Sequence, residues 1–132
     1  MTPGDLKDRI PPHNDEAEKA TLGALLLSSD TEALSTVLQY IREEDFYKNA
    51  HRRIFHSIVS LFERGESVDL ITLVSELKSQ GDLEGVGGAA YISSLTSAVP
   101  SAANVEYYAK LVQETSIRRR LIRISAEITQ DA

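Results

Sequence analysis

The sequence predicts an all-α fold: a compact bundle of about five or six short helices plus a long protruding C-terminal helix. Apolar residues recur at the three- and four-residue spacing of amphipathic helices, and no stretch alternates convincingly at the two-residue period of a strand. Glycines, prolines and capping residues separate the helical segments. The chain has 132 residues, of which 42% are hydrophobic, enough to bury a single core.

The N-terminal part predicts an arm followed by a central helix. Residues 1–12 end in two prolines and are expected to form a flexible arm ahead of a globular helical domain over residues 13–103. Asn14 or Asp15 is expected to cap a helix that runs to about Leu27, because such side chains accept hydrogen bonds from free N–H groups. Apolar positions cover most of its circumference, which indicates a core helix.

Four shorter helices are expected next. Their predicted limits are residues 30–41, 49–65, 69–81 and about 91–100. Asp30 and Asp69 are the expected N-caps of two of them, and glycine ends two because it readily adopts the left-handed conformation that closes a helix. Pro100 stops the last of the four.

The segment 104–132 predicts a different kind of helix. It contains neither glycine nor proline, and as one helix it would extend about 43 Å. A folded chain of this length has a radius of gyration of about 14 Å. The helix is therefore expected to extend beyond its own domain. The sequence is interpreted as a fragment, in which this helix normally continues or folds back into a helical hairpin.

No catalytic, cofactor or metal site is predicted. The glycine-rich segment 85–88 lacks the spacing and the lysine of a phosphate-binding loop. His51 and His56 lie about 140° apart around a helix and cannot share a metal ion as an i,i+4 pair would. His51 is expected in the core or at a cap, His13 in an exposed loop, and the acidic residues 43–45 in a solvated turn. A chain without cysteine has no disulfide and no cysteine zinc site.

The charge pattern favours protein contacts over DNA contacts. The net charge is −6, whereas residues 104–132 carry +1 and residues 1–103 carry −7, which argues against a general nucleic-acid coat. Arg118, Arg119 and Arg120 fan over about 200° of a helix, so with Arg123 they cannot form one flat stripe. Solvation of a protruding helix, contact with an acidic partner and contact with phosphate all remain open for these four arginines.

The location predicted for the protein is the cytoplasm. Residues 1–9 carry no apolar core of a secretory signal, and the longest apolar run, residues 22–27, is far too short to span a membrane. The absence of cysteine fits a reducing compartment.

Short motifs follow one another in order along almost the whole chain. They are Arg9-Ile10-Pro11-Pro12, Leu22-Gly23-Ala24, Glu44-Asp45-Phe46-Tyr47, His51, Arg64-Gly65, Val68-Asp69, Gly87-Gly88-Ala89-Ala90-Tyr91, Val99-Pro100-Ser101 and Arg119-Arg120-Leu121-Ile122. Each motif alone is common, but the ordered set resembles the opening of the bacterial DnaB-family replicative helicases.

The resemblance implies a function without catalysis in this segment. The chain would be the N-terminal oligomerisation and primase-binding domain of an ATP-dependent helicase that unwinds duplex DNA at the replication fork. Its partners would be the C-terminal helicase-binding domain of primase and further copies of itself, in dimer pairs and a hexameric ring; DNA contact would need the full-length helicase, and no membrane is involved. ATP and Mg²⁺ would belong to the motor domain, absent after Ala132. The helix 104–132 would be the first arm of the family's helical hairpin.

The resemblance also implies interface residues. The candidates for the primase interface are Glu16, Tyr91, Ile122 and Ile128. The candidates for the hairpin and oligomer interface are Val112, Ile117, Leu121 and Ile124. Tyr91 is equally well explained as a core residue, whereas Ile122 lies roughly 100° from Leu121 around the helix, so one apolar face cannot bury both.

Two other functions compete with this interpretation. One is a stand-alone helical DNA-binding domain that uses Arg118–Arg123, with an affinity that falls steeply with salt. The other is a small hydrolase, for which no residue pattern speaks. The sequence leaves open the oligomeric state of this segment, its affinity for primase, the organism and loader, and whether the arginines touch DNA.

Overall fold

Six α-helices and one short 3-10 helix make up the described structure. The computed structural model describes residues 10–28 and 31–131, with side chains as far as Thr129. The helices are α1 (Asp15–Leu27), α2 (Glu32–Leu38), a 3-10 helix (Glu43–Asp45), α3 (Asn49–Glu63), α4 (Leu70–Ser79), α5 (Gly88–Thr96) and α6 (Val105–Asp131). The described ranges contain no strand, and the predicted all-α fold is confirmed. Most of the predicted N-terminal arm, and the predicted cap Asp30, lie outside the described residues.

Helix α1 occupies the centre of the bundle, as its apolar pattern predicted. The Asn14 side chain caps it by accepting the Ala17 N–H at 2.9 Å. The helix packs against α3, α5 and α6, and Leu22 and Ala24 are fully buried. At Gly23 the backbones of α1 and α5 approach so closely that an added Cβ would lie 2.0 Å from the Leu95 carbonyl oxygen. Only glycine therefore fits at this crossing.

The predicted boundaries hold at α4 but not at α2. The Asp69 carboxylate accepts the Thr72 N–H at 2.8 Å, and the Thr72 hydroxyl accepts the Asp69 N–H at 2.9 Å, which forms a capping box. Helix α2 was predicted to reach residue 41, yet it ends at Leu38. The last turn tightens because Gln39 and Tyr40 donate to carbonyl groups three residues back, those of Thr36 and Val37.

All six helices contribute to the core, together with the residues around the 3-10 helix. Phe46, directly after that 3-10 helix, is fully buried, and its ring centroid lies 5.0 Å from that of Phe55 on α3. Ile54 and Ile58 on α3 and Leu77 on α4 are also completely buried. Burial of each such side chain stabilises the fold by roughly 1.5–3 kcal/mol.

Helix α6 divides into a packed half and an exposed half. Val105, Ala109, Val112 and Ser116, spaced by three or four residues, are buried against the bundle. From Ile117 to Thr129 every side chain except that of Arg119 is exposed. We call residues 117–129 the distal arm; it amounts to about 20 Å of helix. The predicted protruding C-terminal helix is confirmed.

Candidate functional site

The distal arm exposes an unusual amount of apolar surface. Its large side chains and their exposed fractions are Ile117 (41%), Leu121 (59%), Ile122 (58%), Ile124 (49%) and Ile128 (64%). Single exposed aliphatic residues are ordinary on a protein surface, but neighbouring ones on one element mark an interaction site. The arm is therefore the main candidate functional surface.

The apolar residues of the arm lie in two directions. Ile117, Leu121, Ile124 and Ile128 follow one another at spacings of four, three and four residues, which places them along one stripe of the helix. This is the spacing through which helices pair. Ile122 lies about 100° away from Leu121 and is outside the stripe.

Val112 does not belong to this surface, and its assignment to the oligomer interface is wrong. Its side chain is 0% exposed and forms part of the core cluster. The same periodicity runs through the whole of α6, so sequence spacing alone could not tell where burial by the domain ends. The structure places that point at Ser116, after which only Arg119 is shielded.

The four predicted primase-contact residues divide between the domain body and the arm. Glu16 is exposed in the first turn of α1, and Tyr91 is half-buried on α5. Ile122 and Ile128 are exposed on the distal arm. Tyr91 is thus neither a fully buried core residue nor a free surface group.

Polar contacts hold the root of the arm in a fixed direction. The Ser116 hydroxyl donates to Asp45 Oδ1 at 2.6 Å, and the Gln113 amide donates to the Tyr40 carbonyl oxygen at 3.0 Å. Asp45 Oδ2 in turn accepts the Arg42 N–H at 2.7 Å. The acidic turn at residues 43–45 was predicted to be merely solvated; Asp45 instead orients α6 relative to the body.

Arg119, one helical turn after Ser116, adds a second anchor at the root. Its guanidinium donates to the Pro12 carbonyl oxygen at 3.0 Å and to the Asp45 carbonyl oxygen, and it lies 5.5 Å above the centre of the Tyr47 ring. Burial lowers the pKa of Arg119 below its ordinary value. His13, predicted in an exposed loop, stacks on Tyr47 with ring centroids 4.2 Å apart.

A buried polar network joins α1, α3 and α5, and sequence reasoning missed it. Glu18 is 0% exposed. Its Oε1 lies 2.6 Å from His51 Nδ1, and its Oε2 accepts the Tyr47 N–H at 2.7 Å. The other ring nitrogen of His51 lies 2.6 Å from the Tyr91 hydroxyl. His51 has the predicted core position, whereas Glu18 was not among the predicted site residues.

This network couples one interface candidate to the domain core. Burial raises the pKa of the Tyr91 phenol, so the hydroxyl stays protonated and can donate to His51 Nε2. The ring planes of His51 and Tyr91 are nearly parallel, at 11°. Tyr91 is consequently held in one orientation at the surface rather than free to rotate.

The four arginines predicted as one group are separated by the fold. Arg118 is exposed and pairs with Glu114 at 2.8 Å, one helical turn earlier. Arg119 is engaged at the root, whereas Arg120 and Arg123 line a cleft beside it. Arg119, Arg120 and Arg123 share one face of the helix, because these positions lie within about 100° of arc around its axis.

Neither a metal-binding cluster nor a membrane-spanning helix is found among the described residues. Within residues 10–28 and 31–131, no three His, Cys, Asp or Glu side chains are arranged to hold a metal ion. None of the helices described is both long enough and apolar enough to cross a bilayer.

The comparisons with known proteins agree on one family. Residues 10–114 match the family model described as the DnaB-like helicase N terminal domain. The chain is 50% identical over 124 residues to the replicative DNA helicase DnaB of Geobacillus stearothermophilus, covering 94% of this chain and 27% of that protein. It is 48% identical over 128 residues to the DnaB of Treponema pallidum, covering 97% and 29%. The chain thus spans under a third of the curated relatives that it matches.

Two solved structures share the fold. The crystal structure of the N-terminal domain of DnaB helicase from Mycobacterium tuberculosis matches with a TM-score of 0.88 and 40% identity, over 92% of this chain and 83% of that one. A second structure, described as a DnaB-like replicative helicase and its interactions with primase, matches with a TM-score of 0.75 and 24% identity, over 89% of this chain and 27% of that one.

Proposed function

This chain belongs to the family of DnaB-like helicase N-terminal domains, and from that premise we propose that it assembles the collar of a hexameric replicative helicase and docks primase. The proposal assigns no catalysis to this segment. DNA unwinding with ATP is assigned to a motor domain elsewhere in the full-length protein, as the length of the matching relatives supports.

The observation that carries the proposal is the apolar distal arm. Five large aliphatic side chains are 41–64% exposed along one helix whose root is fixed by Ser116 and Arg119. Exposure of an apolar stripe to water is unfavourable, and a partner helix that covers the stripe removes this cost. The stripe of Ile117, Leu121, Ile124 and Ile128 is therefore assigned to pairing between copies of the chain, as in a helical hairpin bundle.

Ile122 and Tyr91 are assigned to a different partner. Ile122 lies off the stripe, so a helix paired along the stripe would leave it uncovered. Tyr91 presents a ring held in place by His51, and preorganised aromatic side chains are common anchors of interfaces. Because a structure with the same fold is described together with primase, the C-terminal helicase-binding domain of primase is the partner to test first.

Self-association can be tested by sedimentation velocity over a range of concentrations. The double variant Leu121→Ala, Ile124→Ala should shift the chain toward the monomer. Ile71→Ala serves as the matched control, because Ile71 is 80% exposed on α4, away from the arm. Identical sedimentation of the arm variant and the parent chain would remove the pairing assignment.

Primase docking can be tested by calorimetric titration with the primase C-terminal domain. Ile122→Ala and Tyr91→Ala should each weaken binding by one to several kcal/mol, about tenfold or more, if they are energetic anchors. Ile71→Ala should leave the affinity unchanged. Unaltered affinity of both Ile122→Ala and Tyr91→Ala, with the fold intact by circular dichroism, would reject these two residues as anchors.

A stand-alone DNA-binding domain that uses Arg118–Arg123 is the alternative. It is supported by Arg120 and Arg123, which make no ion pair with any described carboxylate, but Arg118 and Arg119 are already engaged. A gel-shift titration with a single-stranded oligonucleotide separates the two functions. Binding at low salt that falls steeply as salt rises would support the alternative, and no binding at low salt would eliminate it.

A further inference from the structure

Five arginines from three parts of the fold meet at one cleft beside the root of the distal arm. Arg119, Arg120 and Arg123 come from α6, Arg52 comes from α3, and Arg42 comes from the loop after α2. The cleft has a volume of about 590 Å³, and its wall is completed by the loop from Gln39 to Asp45. We call it the arginine cleft.

The guanidinium groups of three of these arginines donate their described hydrogen bonds to carbonyl oxygens and not to carboxylates. Arg52 donates through Nε to the Phe46 carbonyl oxygen at 2.6 Å, Arg119 donates to two carbonyl oxygens, and Arg42 donates to the carbonyl oxygens of Leu38 and Ile41. Carbonyl groups satisfy N–H donors but carry no net charge. These contacts therefore fix the guanidinium groups in place without neutralising them.

Two of the five have all their donors available. Arg120 and Arg123 make no hydrogen bond or ion pair with any residue in the described part of the chain. Among the described residues only the Nε of Arg52 has a partner, so its two terminal nitrogens are left without one there. Each guanidinium presents planar, parallel N–H donors that match the oxygens of a phosphate or carboxylate.

The carboxylates in the cleft do not balance this charge. Glu44 and Asp45 are the acidic residues of its lining. Both carboxylate oxygens of Asp45 already accept hydrogen bonds, one from the backbone N–H of Arg42 and one from the Ser116 hydroxyl. Five arginines against two carboxylates leave an excess of three positive charges in a chain whose net charge is −6. Burial is the main cause that lowers the pKa of Arg119; the charge of Arg52 lowers this pKa further, whereas the charges of Glu18 and Asp45 raise it.

We propose that the arginine cleft binds a polyphosphate group, that is, two or more adjacent phosphates. Two phosphates of a free polyphosphate carry roughly three negative charges at neutral pH, since a phosphate monoester carries about −1.5 to −2, and two phosphates of a nucleic-acid backbone carry about two. They concentrate this charge in a volume suited to a small-ligand cavity of a few hundred Å³. This proposal does not depend on the proposed function.

The test is a calorimetric titration of the chain with inorganic tripolyphosphate at low salt. The double variant Arg120→Ala, Arg123→Ala should lose affinity by about tenfold or more, because each lost guanidinium removes charge-assisted hydrogen bonds. The corresponding double lysine variant should lose less, since it keeps the charges but not the planar donors. The control Arg118→Ala removes one charge from the same helix on a different face and should change affinity by less than about twofold.

Further probes distinguish the source of the phosphates and the chemistry. If a short oligothymidylate binds and tripolyphosphate displaces it, the phosphates are those of a nucleic-acid backbone; if only tripolyphosphate binds, they are those of a free ligand. Either result supports the proposal. Three results would overturn it: no saturable binding of tripolyphosphate, an equal loss in Arg118→Ala, or tighter binding of an oligoglutamate peptide. Unchanged circular dichroism of the variants shows that affinity and not folding is being measured.

Discussion

Replacing Glu18 by alanine tests the buried polar network most severely. Glu18 is 0% exposed, and the two shortest polar contacts of its carboxylate are with groups from another part of the chain. These are the Tyr47 N–H, at 2.7 Å, and His51 Nδ1, at 2.6 Å. The substitution removes the carboxylate that both groups contact and leaves a cavity where the side chain stood.

The expected loss follows from the groups left without partners. A buried donor stripped of its acceptor costs about 1–3 kcal/mol. Two such groups give a loss of roughly 2–6 kcal/mol, a large part of the stability of a small domain. At about 2.1 cal/mol/K of unfolding entropy per residue, a loss of about 3 kcal/mol lowers the Tm by roughly 10 °C.

The assay is thermal and urea unfolding followed by circular dichroism. Glu16→Ala is the matched control, because it removes the same side chain two residues earlier on α1 from an exposed position. The control should lose less than about 1 kcal/mol. Glu18→Gln should lie between the two, since its amide keeps one acceptor. If Glu18→Ala unfolds at the same temperature as Glu16→Ala, the network contributes nothing to stability and the reasoning is refuted.

Three further predictions concern particular contacts. Gly23→Ala should lower the free energy of unfolding by about 3 kcal/mol, because its Cβ would clash with the Leu95 carbonyl oxygen 2.0 Å away. The control Gly65→Ala, where nothing lies within 4 Å, should lower it by only about 1–2 kcal/mol, because of its positive φ. Equal unfolding midpoints of the two variants would contradict the close crossing. Tyr91→Phe should lower the free energy of unfolding by about 1 kcal/mol, because it removes the hydroxyl bonded to His51. It keeps the ring and should therefore keep the affinity for primase. An affinity as low as that of Tyr91→Ala would show that the ring alone does not anchor primase. The Arg64 guanidinium lowers the pKa of Glu76 below its ordinary value of 4.5, so the ionised carboxylate stabilises the fold above that value and this contribution is lost as the pH falls through the lowered pKa. Glu76→Gln should consequently show a shallower fall in Tm between about pH 5 and pH 2 than the parent chain, and parallel curves would show that the pair does not contribute.

Local signals were sufficient to predict most of the helices. Asn14 and Asp69 form the caps that their side chains predicted, and the amphipathic pattern of α3 between Asn49 and Glu63 was recognisable without any neighbour. Such features depend on residues within one or two turns of each other. The end of α2 was missed because it is decided by where Ile41 is buried against the rest of the domain.

The site was less predictable because it depends on contacts distant in sequence. Glu18 meets His51 across 33 positions, and Ser116 meets Asp45 across 71. Neither pairing leaves a periodic trace in the sequence. For the same reason Val112 was placed at an interface although the bundle buries it, and Arg118 was grouped with arginines from which the helix separates it.

The central claim is that the distal arm is a partner-binding surface, and hydrogen–deuterium exchange tests it directly. Amide exchange of the chain should be compared alone and with the primase C-terminal domain, with the Ile122→Ala variant as control. Exchange should slow in residues 117–129 and around Tyr91 when primase is added, and this effect should be smaller in the variant. Protection confined to surfaces away from both regions, with the arm unchanged, would contradict it.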